Sequence, residues 1–135
     1  MAVLIDTSVF VAVERGRLRL AELIRPPARY ALSVVTAAEL LHGVHRATDS
    51  VAVQRTAFVE GLLAGFGVLP VDLIVARAYA TASAELAKRG TPVDANDLWI
   101  AATAIAHSLD VLALDGDFDR IPGVQRAAQP SVPLP

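Results

Sequence analysis

The chain has 135 residues, 12 basic and 14 acidic, for a formal net charge of −2, so its overall field does not by itself point to nucleic acid. Cysteine is absent, which excludes a disulfide framework and a thiolate metal site and leaves oxygen or imidazole as the only metal donors. The hydrophobic fraction is 54%, above the usual range, but no stretch is long and apolar enough to span a bilayer.

Much of the apolar content is alanine and valine, which let helices pack closely on a sheet. A single domain over residues 1–128 is expected, followed by a proline-rich tail at 129–135. The start, Met1-Ala2-Val3-Leu4-Ile5-Asp6, has no basic leader region and no cleavage site, so a cytoplasmic protein is expected.

In chain order, Ala2 to Ile5 reads as a buried first strand, and Ser8 to Arg15 as a helix interrupted by Gly16. A second amphipathic helix covers Leu18 to Ile24 and stops at Pro26-Pro27. Tyr30 to Ser33 is a second strand, and Thr36 starts a helix reaching Ala47. Asp49-Ser50 opens a helix over Val51 to Leu63, ended by Gly65 and Gly67. Val68-Leu69 is a third strand closed by Pro70. Asp72 caps a long helix to Lys88, with Gly90 as its C′ residue. Asp94 to His107 is the next helix, Val111 to Leu114 a fourth strand, and Val124-Gln125 an edge strand. Strands alternating with helices predict a parallel sheet covered on both faces.

The acidic residues fall at the junctions of these elements. Ligands bind at the carboxyl ends of strands in open α/β sheets, and Asp6 follows the first strand directly. As local structure alone, Asp6 is a helix N-cap. Glu39 in Thr36-Ala37-Ala38-Glu39 is the far end of a capping box. Asp94 is an N-cap with Asp97 complementing the helix dipole, and Asp115-Gly116 is a turn. Jointly these explanations fall short. Two acids and an asparagine in four residues exceed what one cap needs, and the strand ends of a parallel sheet share one side. Carboxylates pressed together there raise one another's pKa. A hard divalent cation, Mg²⁺ or Mn²⁺, would relieve that repulsion. It could then activate water and steady the leaving oxygen of a phosphodiester.

Leu4-Ile5-Asp6-Thr7-Ser8, Thr36-Ala37-Ala38-Glu39-Leu40, Asn96-Asp97-Leu98-Trp99-Ile100-Ala101-Ala102-Thr103-Ala104 and Leu114-Asp115-Gly116-Asp117-Phe118 together resemble PIN-domain proteins of the VapC toxin type. The resemblance runs to about Val124. It implies a three-layer α/β fold with a parallel five-stranded sheet of order 3-2-1-4-5. It also implies a Mg²⁺- or Mn²⁺-dependent endoribonuclease acting on RNA, a homodimer, and inhibition by a cognate antitoxin. By position, Asp6, Glu39, Asp97 and Asp115 match the family's catalytic acids, with Asp6, Asp97 and Asp115 as metal ligands. Asp117 also fits the fourth place. Thr7, Ser8 and Asp94 take supporting positions. Ala113 stands where the family often has a threonine.

Five of the 12 basic residues lie between Arg15 and Arg29. Arg15, Arg17 and Arg19 are the RNA-phosphate candidates; a solvated face or an antitoxin surface would look the same. His42 and His45 lack a zinc motif, His107 sits near a helix C-terminus, and Trp99 is a packing residue or a base-stacking one. The helices around Leu18 to Ile24 and Val51 to Leu63 could form a groove for a partner helix. A non-catalytic binding module of the same fold is the main alternative function. A phospho-receiver domain is disfavoured because the only lysine is Lys88. A dinucleotide-binding domain is disfavoured because no Gly-x-Gly-x-x-Gly follows the first strand.

Overall fold

In the computed structural model, which describes residues 2–128, strand β1 (Ala2–Ile5) lies inside a parallel sheet. Its side chains alternate between faces as strand geometry requires. Val3 and Ile5 enter one apolar cluster and Leu4 the other. β2 (Arg29–Ser33) pairs with one side of β1, and β4 (Asp110–Leu112) with the other. β3 (Gly67–Leu69) adds to β2, giving the order β3-β2-β1-β4.

Helices cover both faces, making three layers. On one side α1 (Thr7–Glu14), the single turn α2 (Leu20–Leu23), α3 (Val34–Arg46) and α4 (Asp49–Gly65) bury Phe10, Leu23, Leu40, Val59 and Leu62. On the other, α5 (Leu73–Arg89) and α6 (Ala95–Ala106) bury Ala82, Leu86, Ile100, Ala101 and Ala104, with Phe118 from a 3₁₀ turn at Asp117–Arg120. Phe10 and Phe118 are fully buried, and truncating either to alanine should cost about 3–5 kcal/mol. The small residues of α6 let it lie close to the sheet. Helix limits follow local chemistry: Asp72 caps α5 through the Val75 amide, and Gly90, at φ 63°, ends it in the left-handed region. Among the described residues no helix is long and apolar enough to cross a membrane.

Three expectations are corrected. Among the described residues the sheet has four strands, not five: at the predicted Val124-Gln125 strand there is one parallel bridge, Val111 to Arg126. Pro122 and Gly123 immediately before it leave few residues to pair. α3 begins at Val34, and its cap is Ser33, whose hydroxyl accepts from the Val35 amide at 3.0 Å. Thr36 is therefore inside the helix and fully buried, and the Thr36–Glu39 capping box does not form. β4 stops at Leu112 because side chains then take over the backbone groups: the Leu114 amide donates to Ser8 Oγ at 3.1 Å. The tail expected at 129–135 lies outside the described residues.

Candidate active site

All strands being parallel, β1, β2 and β4 deliver their carboxyl ends to one rim. Asp6 is the first residue beyond β1 and only 3% exposed. Its Oδ2 accepts from the Ser8 amide at 3.1 Å and the Ser8 hydroxyl at 2.6 Å. It is thus the N-cap of α1 and a rim carboxylate at once. Because Ser8 Oγ also accepts from Leu114, one hydroxyl ties the β1 turn to the loop after β4. Burial raises the Asp6 pKa against the pull of the Ser8 bonds, and Asp115 raises it further.

α6 precedes β4, whose first residue lies at the far end of the sheet, so α6 starts at the rim. Asp94 caps it, its Oδ1 accepting from the Asn96 and Asp97 amides at 2.9 and 3.3 Å. With the cap supplied by Asp94, Asp97 is left for other work. Its pKa is pushed up to about 7, first by burial and then by Asp6, Asp115, Asp94 and Asp117. Asp115 is exposed and accepts from the Asp117 amide at 3.1 Å, while Asp117 pairs with Arg120 at 3.0 Å.

Glu39 reaches the rim from α3. Its Oε1 accepts from the Thr7 hydroxyl at 2.6 Å, and Thr7 Oγ1 shares a further hydrogen bond with Thr36 Oγ1 at 3.1 Å. Glu39 and Thr7 line a cleft of about 270 Å³ with Glu14, Arg15, His42, Arg46 and Arg55. Arg55 braces that cleft, pairing with Glu14 at 2.8 Å and donating to the Gly43 carbonyl at 3.1 Å.

The structure therefore gathers Asp6, Asp97, Asp115, Asp94 and Asp117 into one field, with Glu39 beside them through Thr7. Arg15, Arg17 and Arg19 are exposed beyond α1, and only Arg15 of the three lines the cleft. His42, His45 and His107 are exposed. Trp99 stacks on Tyr79 at 3.7 Å between ring centroids, which makes it an α5–α6 packing residue. Ser33, Arg55 and Arg126 are not singled out by the sequence, which gives Thr36 a capping role in place of its contact with Thr7. Ser33 alone had a local signal, a serine where a strand meets a helix; the others depend on long-range contacts.

The all-oxygen, mutually repelling donors fit a hard divalent cation. Among the described residues no group of three His, Asp or Glu side chains could hold an ion by itself. Mg²⁺ commonly takes one or two carboxylates and keeps waters, so a looser rim suits it.

The sequence profile of the PIN domain matches residues 3–124. Ribonuclease VapC5 of Mycobacterium tuberculosis is 45% identical over 120 residues, 88% of this chain and 87% of that protein. The crystal structure of VapBC-5 from the same organism, a toxin–antitoxin system, superposes with a TM-score of 0.76 at 37% identity over 93% of this chain and 98% of that one. DNA-bound VapBC from Salmonella typhimurium superposes with a TM-score of 0.85 at 28% identity, covering 94% and 97% of the two chains.

Proposed function

The chain belongs to the PIN-domain family and, within it, to the VapC-type toxins of toxin–antitoxin systems, and we propose that its acidic rim is a Mg²⁺- or Mn²⁺-dependent endoribonuclease site. The observation that carries the proposal is geometric: Asp6, buried at the end of β1, meets Asp97 at the start of α6 and Asp115 after β4 on one rim, close enough to repel one another. Such repulsion is costly in an empty rim and useful in one that takes up a cation.

Asp6, Asp97 and Asp115 would hold the ion, partly through water. When bound, it would supply an activated water and charge stabilisation at the phosphodiester. Ser8 keeps the Asp6 carboxylate turned toward the rim and fixes the Asp115 loop beside it. Asp94 carries the capping duty that Asp97 would otherwise share. Thr7 holds Glu39 at the edge of the rim, where its carboxylate can orient or deprotonate a water. Asp117, paired with Arg120, adds negative field from the next position. Arg15, Arg17 and Arg19 lie on the exposed segment after α1 and would contact RNA phosphates.

A ribonuclease relative at 45% identity supports RNA as substrate. The VapBC complexes support a cognate antitoxin as partner. A homodimer is what the family resemblance implies.

The test is cleavage of structured RNAs by purified protein with Mg²⁺ or Mn²⁺, beside Asp97→Asn prepared identically. Metal-dependent cleavage by the wild type alone is expected. Equal cleavage by both proteins would sink the assignment of Asp97. No cleavage by either, with a tightly held protein partner, would favour the non-catalytic binding module.

A further inference from the structure

The loop from Ala113 to Asp119 bears two of the rim's aspartates, yet Asp115, Gly116 and Asp117 are all exposed. Something must hold it in register with Asp6 and Asp97. One pin is Ser8, through the Leu114 amide. A second is Phe118, buried beneath the 3₁₀ turn. The third comes from outside the stretch that the PIN-domain profile matches, which ends at residue 124.

Arg126 lies on the segment bridged to the open edge of β4, with the Val111 amide donating to Gln125 O at 2.8 Å and the Ala127 amide to Val111 O at 2.9 Å. Its side chain turns toward the loop and is only 18% exposed. Nη2 donates to the Ala113 carbonyl at 2.8 Å, and Nη1 pairs with Asp119 Oδ1 at 2.9 Å. One planar group thus grips the loop on both sides of Asp115 and Asp117. Nε is buried with no hydrogen-bond partner among the described residues. An orphaned buried donor carries an uncompensated desolvation cost, so what holds this arginine in place comes through its two terminal nitrogens. Lysine lacks the planar fork.

We propose that Arg126 is a positioning residue for the acidic rim: by bridging Ala113 and Asp119 it holds the Asp115–Asp117 loop against Asp6 and Asp97, so that Asp6, Asp97 and Asp115 can share a divalent cation. It touches neither RNA nor metal. The proposal rests on the metal-dependent nuclease put forward above. A residue that merely fastened the C-terminal segment to β4 would change stability equally with and without metal.

Two readouts separate these roles in the full chain. The first is Mn²⁺ affinity, from the spin-resonance signal of the free ion. The second is amide hydrogen exchange at Leu114 to Asp117 in metal-free protein. Arg126→Ala is expected to weaken Mn²⁺ binding about tenfold or more, the usual scale for groups that orient metal ligands. It should also speed exchange at the Asp117 amide and leave α5 amides unchanged. Asp119→Asn, at an exposed position, keeps the grip on Ala113 and should give a smaller loss of affinity; it serves if Arg126→Ala does not fold. Wild-type affinity in the variants would overturn the proposal. If the wild type itself binds no Mn²⁺, the nuclease assignment fails instead. Arg126 is then judged on exchange alone, and unchanged rates at Asp117 in both variants would refute its role.

Discussion

The rim has two halves that treat negative charge differently. On the α3 side, Glu39 accepts a 2.6 Å hydrogen bond from Thr7 and shares a cleft with Arg15, Arg46 and Arg55. On the α6 side, Asp97 faces Asp6, Asp115, Asp94 and Asp117, every one of which raises its pKa. One half sets its acid on a hydroxyl in a cleft that arginines share; the other crowds aspartates together and is left wanting a cation. Size is no guide to either. A larger hollow, about 720 Å³, is lined by Val3, Leu23, Pro27, Tyr30, Leu112 and Ala127, with none of the rim acids on its wall.

If the contrast is right, charge removal should matter most in the crowded half. Asp6→Asn is expected to lower metal-dependent RNA cleavage by at least about a thousandfold, the scale of losing several kcal/mol of metal-assisted stabilisation. Far-UV circular dichroism should show the fold intact. Retention of a tenth of wild-type activity would break the contrast at once.

Glu39→Gln should cost less, about ten- to a hundredfold, the lower end of general acid–base contributions. The amide oxygen of glutamine can still accept from Thr7, so the local frame survives and only the charge is lost. A loss as deep as that of Asp6→Asn would put Glu39 among the metal ligands.

The smallest effect is on stability. The folded-state pKa of Asp97 lies above its unfolded value, at about 7. The folded form therefore binds the extra proton between about pH 4 and pH 7, and stability falls as pH rises through that window. The full penalty applies above pH 7. Asp97→Asn should accordingly raise the melting temperature of metal-free protein at pH 8 by about 3 °C, roughly 1 kcal/mol once solvent screening is allowed for. The gain should vanish near pH 4. Added Mn²⁺ should stabilise the wild type more at pH 8 than at pH 5, because the proton and the cation compete for one carboxylate. A variant less stable than wild type at pH 8 would show that Asp97 is compensated after all.

Local sequence determined a good deal of this protein. The short unbroken apolar run from Ala2 to Ile5 marked a strand buried on both faces, and Asp72, Gly90 and Asp94 marked helix ends, because capping depends only on residues a few positions apart. The acids at element junctions were legible for the same reason: a parallel sheet brings its strand ends to one side whatever the loops do. Tertiary structure decided what those acids do once there. Whether Glu39 closed a capping box or met Thr7 turned on Ser33 taking the cap, a competition between two nearby hydroxyls that composition does not settle. The bonds that set the rim, Thr7 to Glu39 across 32 positions, Ser8 to Leu114 across 106 and Arg126 to Ala113 across 13, join segments that lie far apart along the chain. They exist only after the sheet has formed, because hydrogen bonding acts over about 3 Å and the chain brings such partners together only by folding.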